Sequence, residues 1–171
     1  MTDFDGIPVV GVCENAFFND KEITSIKLSN NLERIENGAF WGASNLKTIT
    51  FSDSGKGLKK IDGLAFKDCS SLESIDLSNA EITEIPIRAF ENCTSLKSIK
   101  LPSTVTKIAD NAFAGCSNLE EIEGLEQCKI SELSATAFDG CVRLKDINLS
   151  NATIAAIPDQ IFSGIRGLIS A

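Results

Sequence analysis

The chain has 171 residues, a length that suits one continuous core, and its 43% hydrophobic and 23% charged content is that of a folded protein and excludes wholesale disorder. Its formal net charge is −8, which argues against general binding to phosphate backbones. It contains no His, which removes the usual general base, the Ser-His and Cys-His nucleophile pairs and the commonest metal ligand.

The N-terminal segment MTDFDGIPVV has neither the basic region nor the apolar run of a secretory signal. No stretch approaches the roughly 20 apolar residues that span a bilayer. From residue 16 onward one unit recurs. Ala-Phe pairs end at Phe17, Phe40, Phe66, Phe90, Phe113 and Phe138, with Ile161-Phe162 as a degenerate seventh copy. The steps between these Phe are 23, 26, 24, 23, 25 and 24 residues. Seven of the ten Phe are thus one position seen seven times.

Other columns keep the same register. Six residues after each Phe stands Ile23, Leu46, Leu72, Leu96, Leu119, Leu144 or Leu168. Nine after stands Ile26, Ile49, Ile75, Ile99, Ile122 or Ile147. Eleven after stands Leu28, Phe51, Leu77, Leu101 or Leu149, with Gly124 in the fifth copy and Leu125 beside it. Five before stands Val12, Ile35, Ile61, Ile85, Ile108, Leu133 or Ile157. In Leu96–Leu101 (LKSIKL) apolar and polar residues alternate at the end, as on a short strand with one buried face. Val105–Ile108 brings the chain back, and Asn111–Cys116 (NAFAGC) suits a helical turn with Phe113 plugging the interior. One such turn cannot cover its own apolar edge, so the units stack as a solenoid, with neighbouring strands about 4.8 Å apart.

The run AFENCTSLKSIKLPSTVTKIADNAFAGCSNL resembles the BspA-like leucine-rich repeats, whose unit reads roughly AF-x-x-C-x-x-L-x-x-I-x-L-P-x-S-V-x-x-I. The resemblance implies an α/β fold, a right-handed leucine-rich repeat solenoid. Short parallel strands would line its concave side, with short helical turns or second short strands on the other faces. Residues 1–171 would form a single unit of about six to seven turns. Members of this family are mostly bacterial or protozoan surface proteins that bind host or extracellular-matrix proteins. The resemblance therefore implies a non-enzymatic protein-binding module, cell-surface or secreted in the full-length protein. Phe4–Val12 reads as the return half of a preceding unit, and the C-terminus falls inside the seventh. A fragment of a longer protein is expected, with a short self-capping or end-to-end dimerising protein as the alternative. A structural spacer or self-associating stalk without a ligand site is the competing function.

Cys69, Cys93, Cys116 and Cys141 each lie three residues after the repeat Phe, where other units carry Asp20, Ala43 and Ile165. This is a ladder of small buried thiols, and parallel side chains disfavour disulfides. Cys128 shares a small slot with Ala80 and Ala152, and Cys13 matches none. The cysteine spacings and the lack of His exclude a zinc site. No cofactor is expected. Asp53-Ser54-Gly55 matches a short aspartic-protease triplet but falls in the longest unit and reads as a loop insertion. Gly55-Lys56 lacks the hydroxyl residue and leading Gly of a phosphate loop. Asn92, Asn148 and Asn151 head chance glycosylation triplets.

The polar residues between the strand core positions face outward, on the concave side in this family. They form two columns: Ser25, Thr48, Ser74, Ser98, Glu121, Asp146 and Lys27, Thr50, Asp76, Lys100, Glu123, Asn148. These twelve are the candidate protein-binding residues. Neither column holds an aromatic residue or Arg, the types enriched at hot spots. Asp110–Glu132 carries six acids against Lys129, a local net of −5 that would attract a basic partner or a divalent ion, or serve solubility. Trp41 stands where other units have Lys67, Glu91, Ala114 or Asp139, and is either a contact residue or a cover for loose packing.

Overall fold

Alternation of one buried and one outward residue makes each unit's strand half-apolar, so its apolar edge needs another strand of the same kind. The computed structural model, which describes residues 9–163 and 165, meets that need by parallel stacking. Strands β2 (Ser25–Leu28), β4 (Thr48–Phe51), β6 (Ser74–Asp76), β8 (Ser98–Lys100) and β10 (Glu121–Glu123) form one five-stranded parallel sheet in that spatial order. Register pairs such as Ile26↔Ile49, Ile75↔Ile99 and Ile122↔Ile99 put the apolar columns in line. This long sheet is the frame of a parallel solenoid of about five turns. Asp146–Asn148, of the sixth copy, forms no strand, and Lys145 N–H ties its start to Glu120 O at 3.2 Å.

The chain returns through two-residue strands. β1 (Gly11–Val12), β3 (Arg34–Ile35) and β5 (Lys60–Ile61) form one three-stranded sheet, and β7 (Glu84–Ile85), β9 (Lys107–Ile108) and β11 (Glu132–Leu133) form another. The second short strands are therefore present, in two separate groups.

The expected helical turn around each Phe takes a different form. Among the described residues there is no α-helix, only short 3-10 segments at Ser52–Gly55 and Leu125–Gln127. Around the repeat Phe, short i→i−3 bonds alternate with bonds to the next coil. Phe40 N–H reaches Ala65 O at 2.8 Å and Trp41 N–H reaches Gly38 O at 2.9 Å. The same coil-to-coil bond recurs from Phe17 to Ala39, Phe66 to Ala89, Phe90 to Ala112 and Phe113 to Ala137. The alternation needs left-handed residues two before and two after each Phe. Asn15, Gly38, Leu64, Arg88 and Asn111 fill the first place, and Asn19, Gly42, Asp68, Asn92, Gly115 and Gly140 the second, all with positive φ. Asn, Asp and Gly tolerate that region, which is why they recur there. Gly42 is doubly constrained, since a Cβ on it would sit 2.2 Å from the Asn19 side-chain oxygen.

Inside the turns the Phe rings stack. Phe17, Phe40, Phe66, Phe90, Phe113 and Phe138 follow one another with centroid distances of 5.0, 5.4, 5.2, 5.5 and 5.7 Å, nearly parallel. The last five are wholly buried, whereas Phe162 is 37% exposed. The cysteine ladder serves the same stack. The thiols of Cys69, Cys93, Cys116 and Cys141 donate to the carbonyls of Phe40, Phe66, Phe90 and Phe113, one coil back, at 3.0–3.1 Å. Gly124, at φ +86, starts the 3-10 segment that delivers Leu125 into the core, so the fifth copy keeps its column by a one-residue shift.

Leu168 and Phe4–Pro8 lie outside the described residues. Ile157, a member of the core column by spacing, is 54% exposed.

Candidate functional site

The long sheet turns the twelve candidate residues into two rows because the pleat sends every second side chain to the same face. Ser25 registers with Thr48, Thr48 with Ser74, Ser74 with Ser98 and Ser98 with Glu121. In the second row Lys27 registers with Thr50, and Asp76 with Lys100, which registers with Glu123. Ser25, Lys27, Thr48, Thr50, Ser74, Lys100, Glu121, Asp146 and Asn148 are exposed, and Asp76, Ser98 and Glu123 are half-buried. Asp146 and Asn148 have no strand register, but both line a cavity of about 450 Å³ with Glu121, Glu123, Glu126 and Gln127.

The two rows differ in chemistry. From β2 to β8 the first row is all hydroxyl, whereas the second already carries Lys27, Asp76 and Lys100. The charged groups are partly self-satisfied. Lys100 Nζ lies 2.9 Å from Glu123 Oε2, whose hydrogen bond and charge hold the ammonium above its ordinary pKa. Burial alone would raise the Asp76 carboxyl, but the Ser78 backbone N–H and hydroxyl and the Ser54 hydroxyl outweigh it and hold it below its usual value.

The acidic stretch is less acidic in space than along the chain. Lysines one coil away meet three of its six acids. Lys145 pairs with Glu120, Lys100 with Glu123, and Lys107 Nζ with Glu132 at 3.1 Å. Glu120 is held below its ordinary pKa first by its hydrogen bond from Lys145. Asp110 and Glu132 sit on the return side, around a larger cavity of about 570 Å³ with Ile87, Lys107 and Leu133, away from the candidate rows. Sequence reasoning missed Glu126 and Gln127 on the sheet-side cavity. The signal was Gly124, which turns the chain outward there.

Trp41 is half-buried. Its indole N–H donates to Asp68 Oδ2 at 3.0 Å, Phe18 meets it edge-on at 5.2 Å, and Lys67 Nζ lies 5.5 Å from the ring centroid. These contacts engage its donor, an edge and a face, so it covers the second turn.

The thiols offer little chemistry. Burial pushes Cys69 up to about 12 and Cys128 up to about 11, and raises Cys93 and Cys141 strongly as well. Such thiols stay protonated and are poor nucleophiles and ligands. Cys13 alone is exposed, and the described cysteines are all free. Among the described residues no group of three or more Cys, Asp or Glu could hold a metal ion. Asp53 lies in the inserted 3-10 segment with a left-handed backbone and Lys56 Nζ 3.8 Å from its carboxylate, as suits a loop insertion.

The profile of the BspA type leucine-rich repeat region matches the chain in six copies over residues 11–130 and 83–171. The chain is similar to the leucine-rich repeat protein of T. pallidum, with 30% identity and a TM-score of 0.62 over 86% of this chain and 77% of that one. It is also similar in fold to a leucine-rich cell surface protein of Faecalibacterium prausnitzii, with 24% identity and a TM-score of 0.69. A leucine-rich repeat protein of Bacteroides ovatus gives 24% identity and a TM-score of 0.51. The matches cover 86% and 89% of this chain but only 44% and 48% of those two. No curated protein matches the chain.

Proposed function

Because the chain belongs to the BspA-type leucine-rich repeat family, we propose that it is a non-enzymatic protein-interaction module that holds its partner against the outward rows of the long sheet. The observation that carries this reading is the five-stranded sheet face, whose first row is in register from Ser25 to Glu121 and most of whose polar side chains serve neither core nor turns; Asp76 and Asn148, which accept bonds from Ser54, Ser78 and Ser150, are the exceptions. Rigid, aligned side chains lose little freedom on binding, which favours recognition by such a face. The reading includes a right-handed winding with this sheet on the concave side, residues 1–171 as one solenoid, and exposure at the cell surface or secretion. Its partner class is a host or extracellular-matrix protein, met by hydroxyls from β2 to β8 and by the free acids Glu121 and Asp146 at the far end.

The test is binding of the chain to immobilised fibronectin, laminin and collagen at low and raised salt, with sedimentation in parallel. The expected result is saturable binding to at least one that weakens as salt rises and falls at least tenfold in Glu121→Lys/Asp146→Lys. Absence of saturable binding to all three would overturn the matrix assignment. A mass that grows with protein concentration, without such binding, would favour the self-associating stalk.

A further inference from the structure

The return side is discontinuous, and one of the bonds missing at the break has a covalent cause. In the intact junctions a backbone donor just after each return strand reaches the coil before it. Glu36 N–H reaches Val12 O and Asp62 N–H reaches Ile35 O at 2.9 Å, while Ala109 N–H reaches Ile85 O and Ser134 N–H reaches Ile108 O at 3.0 Å. In the coil of β7 this place is held by Pro86, which has no N–H to give. Among the described residues β5 and β7 do not pair. The gap is bounded by Glu81 N–H on Leu58 O at 2.8 Å and Leu64 N–H on Ile87 O at 3.1 Å. Between these bonds lies a cavity of about 370 Å³ lined by Lys59, Lys60, Ile61, Ile82, Thr83 and Glu84.

The same local design recurs. Leu77–Pro86 reads LSNAEITEIP and Leu149–Pro158 reads LSNATIAAIP, 72 residues later. Asn79 Nδ2 donates to Asp53 O and Asn151 Nδ2 to Glu126 O, both acceptors in the 3-10 segments of the preceding coils. Thr153 N–H on Ile130 O, at 2.7 Å, repeats the Glu81 bond. Beyond β11 no described return strand follows, and Ile157 is exposed where its counterpart Ile85 is buried. On the other two sides the same two coils stay in contact. β4 and β6 keep one register pair, Thr48↔Ser74, with Glu73 N–H on Lys47 O at 3.2 Å, and Phe66 stacks on Phe90 at 5.2 Å.

We propose that this Ile-Pro coil is a built-in flexing seam. The block ending in β5 and the block starting at β7 rock about the long sheet and the Phe stack, which remain bonded, while the return side opens and closes. That motion changes the curvature of the long sheet. Pro sets it by deleting a ladder bond without disturbing the core. The inference concerns the free protein and does not depend on the sheet being a binding face.

The experiment is amide hydrogen exchange read by mass spectrometry on the native chain, on Pro86→Ala, which supplies the missing donor, and on Ala109→Pro, which removes a donor from the intact β7–β9 junction. In the native chain the peptide 81–87 is expected to exchange at least tenfold faster than its counterpart 104–110. Pro86→Ala slows 81–87 at least fivefold, and Ala109→Pro speeds 104–110 by a similar factor. Spin labels at Asn30→Cys and Gln127→Cys, with Cys13→Ser, report a distance distribution that narrows in Pro86→Ala and broadens in Ala109→Pro. The reciprocal pair keeps the test decisive if one variant folds poorly. Equal protection of the two peptides in the native chain would overturn the seam. So would exchange rates that neither substitution changes.

Discussion

The long sheet and the return side are built from the same repeats but use their outward residues in opposite ways. Return strands are two residues long, and all but β1, whose outward residue is Gly11, present one outward side chain each, most of them in ion pairs. Arg34 pairs with Glu36 and Lys60 with Asp62, both at 2.8 Å, and Lys107 pairs with Glu132 at 3.1 Å. Among the described residues, only Lys100 and Glu123 of the candidate rows are spent in this way. The ion pairs do not keep the return side whole, because exposed pairs contribute only about 0–1 kcal/mol each while Pro86 deletes a backbone bond outright. Continuity here follows backbone donors in register, and the outward rows of the long sheet are the less engaged in ion pairs.

Both sides share the Phe stack. Phe90→Ala opens the ring stack in its middle and is expected to cost about 3–5 kcal/mol, measured by urea unfolding; both sides should then lose exchange protection together. A smaller effect of opposite sign is expected on the turn side. Arg88 is exposed and held at φ +54, so Arg88→Gly should stabilise the chain by about 0.5–1 kcal/mol through relief of left-handed strain. A thermal melt that falls instead would mean the Arg88 side chain contributes more than its backbone costs. The smallest effect concerns the sheet face itself. Asp76 is held below its ordinary pKa in the fold, so its contribution is present above about pH 4 and is lost as pH falls through the lowered folded value. Asp76→Asn should therefore narrow the difference between melting temperatures at pH 7 and pH 3.

The columns that face the core were legible because their chemistry is the same in every unit. Phe40, Leu46, Ile49 and Ile35 repeat at fixed spacing and are buried, whereas Ile157 and Phe162 keep the spacing and are exposed. The small slot after Phe was legible too, although the thiol-to-carbonyl bonds that use it depend on stacking. The turn was misread because Ala and Phe in NAFAGC suit a helix, while the deciding signal was the Asn, Asp or Gly two residues after each Phe. The pairing of the acidic stretch was not legible, because the partners of Glu120 and Glu123 lie a full coil away, at Lys145 and Lys100, where local charge counting does not reach. Pro86 was visible, but its effect required knowing which amide each return strand donates.

The most direct measurement compares the two sides in one binding experiment. Affinity for a matrix protein that the native chain binds is read for Thr48→Arg/Ser74→Arg on the long sheet and for Lys60→Ser on the return side, each checked for an unchanged melting temperature. The proposed function expects the sheet variant to lose at least tenfold in affinity and the return-side variant to stay within twofold. Loss confined to the return-side variant, or none in the sheet variant, would contradict recognition by the long sheet.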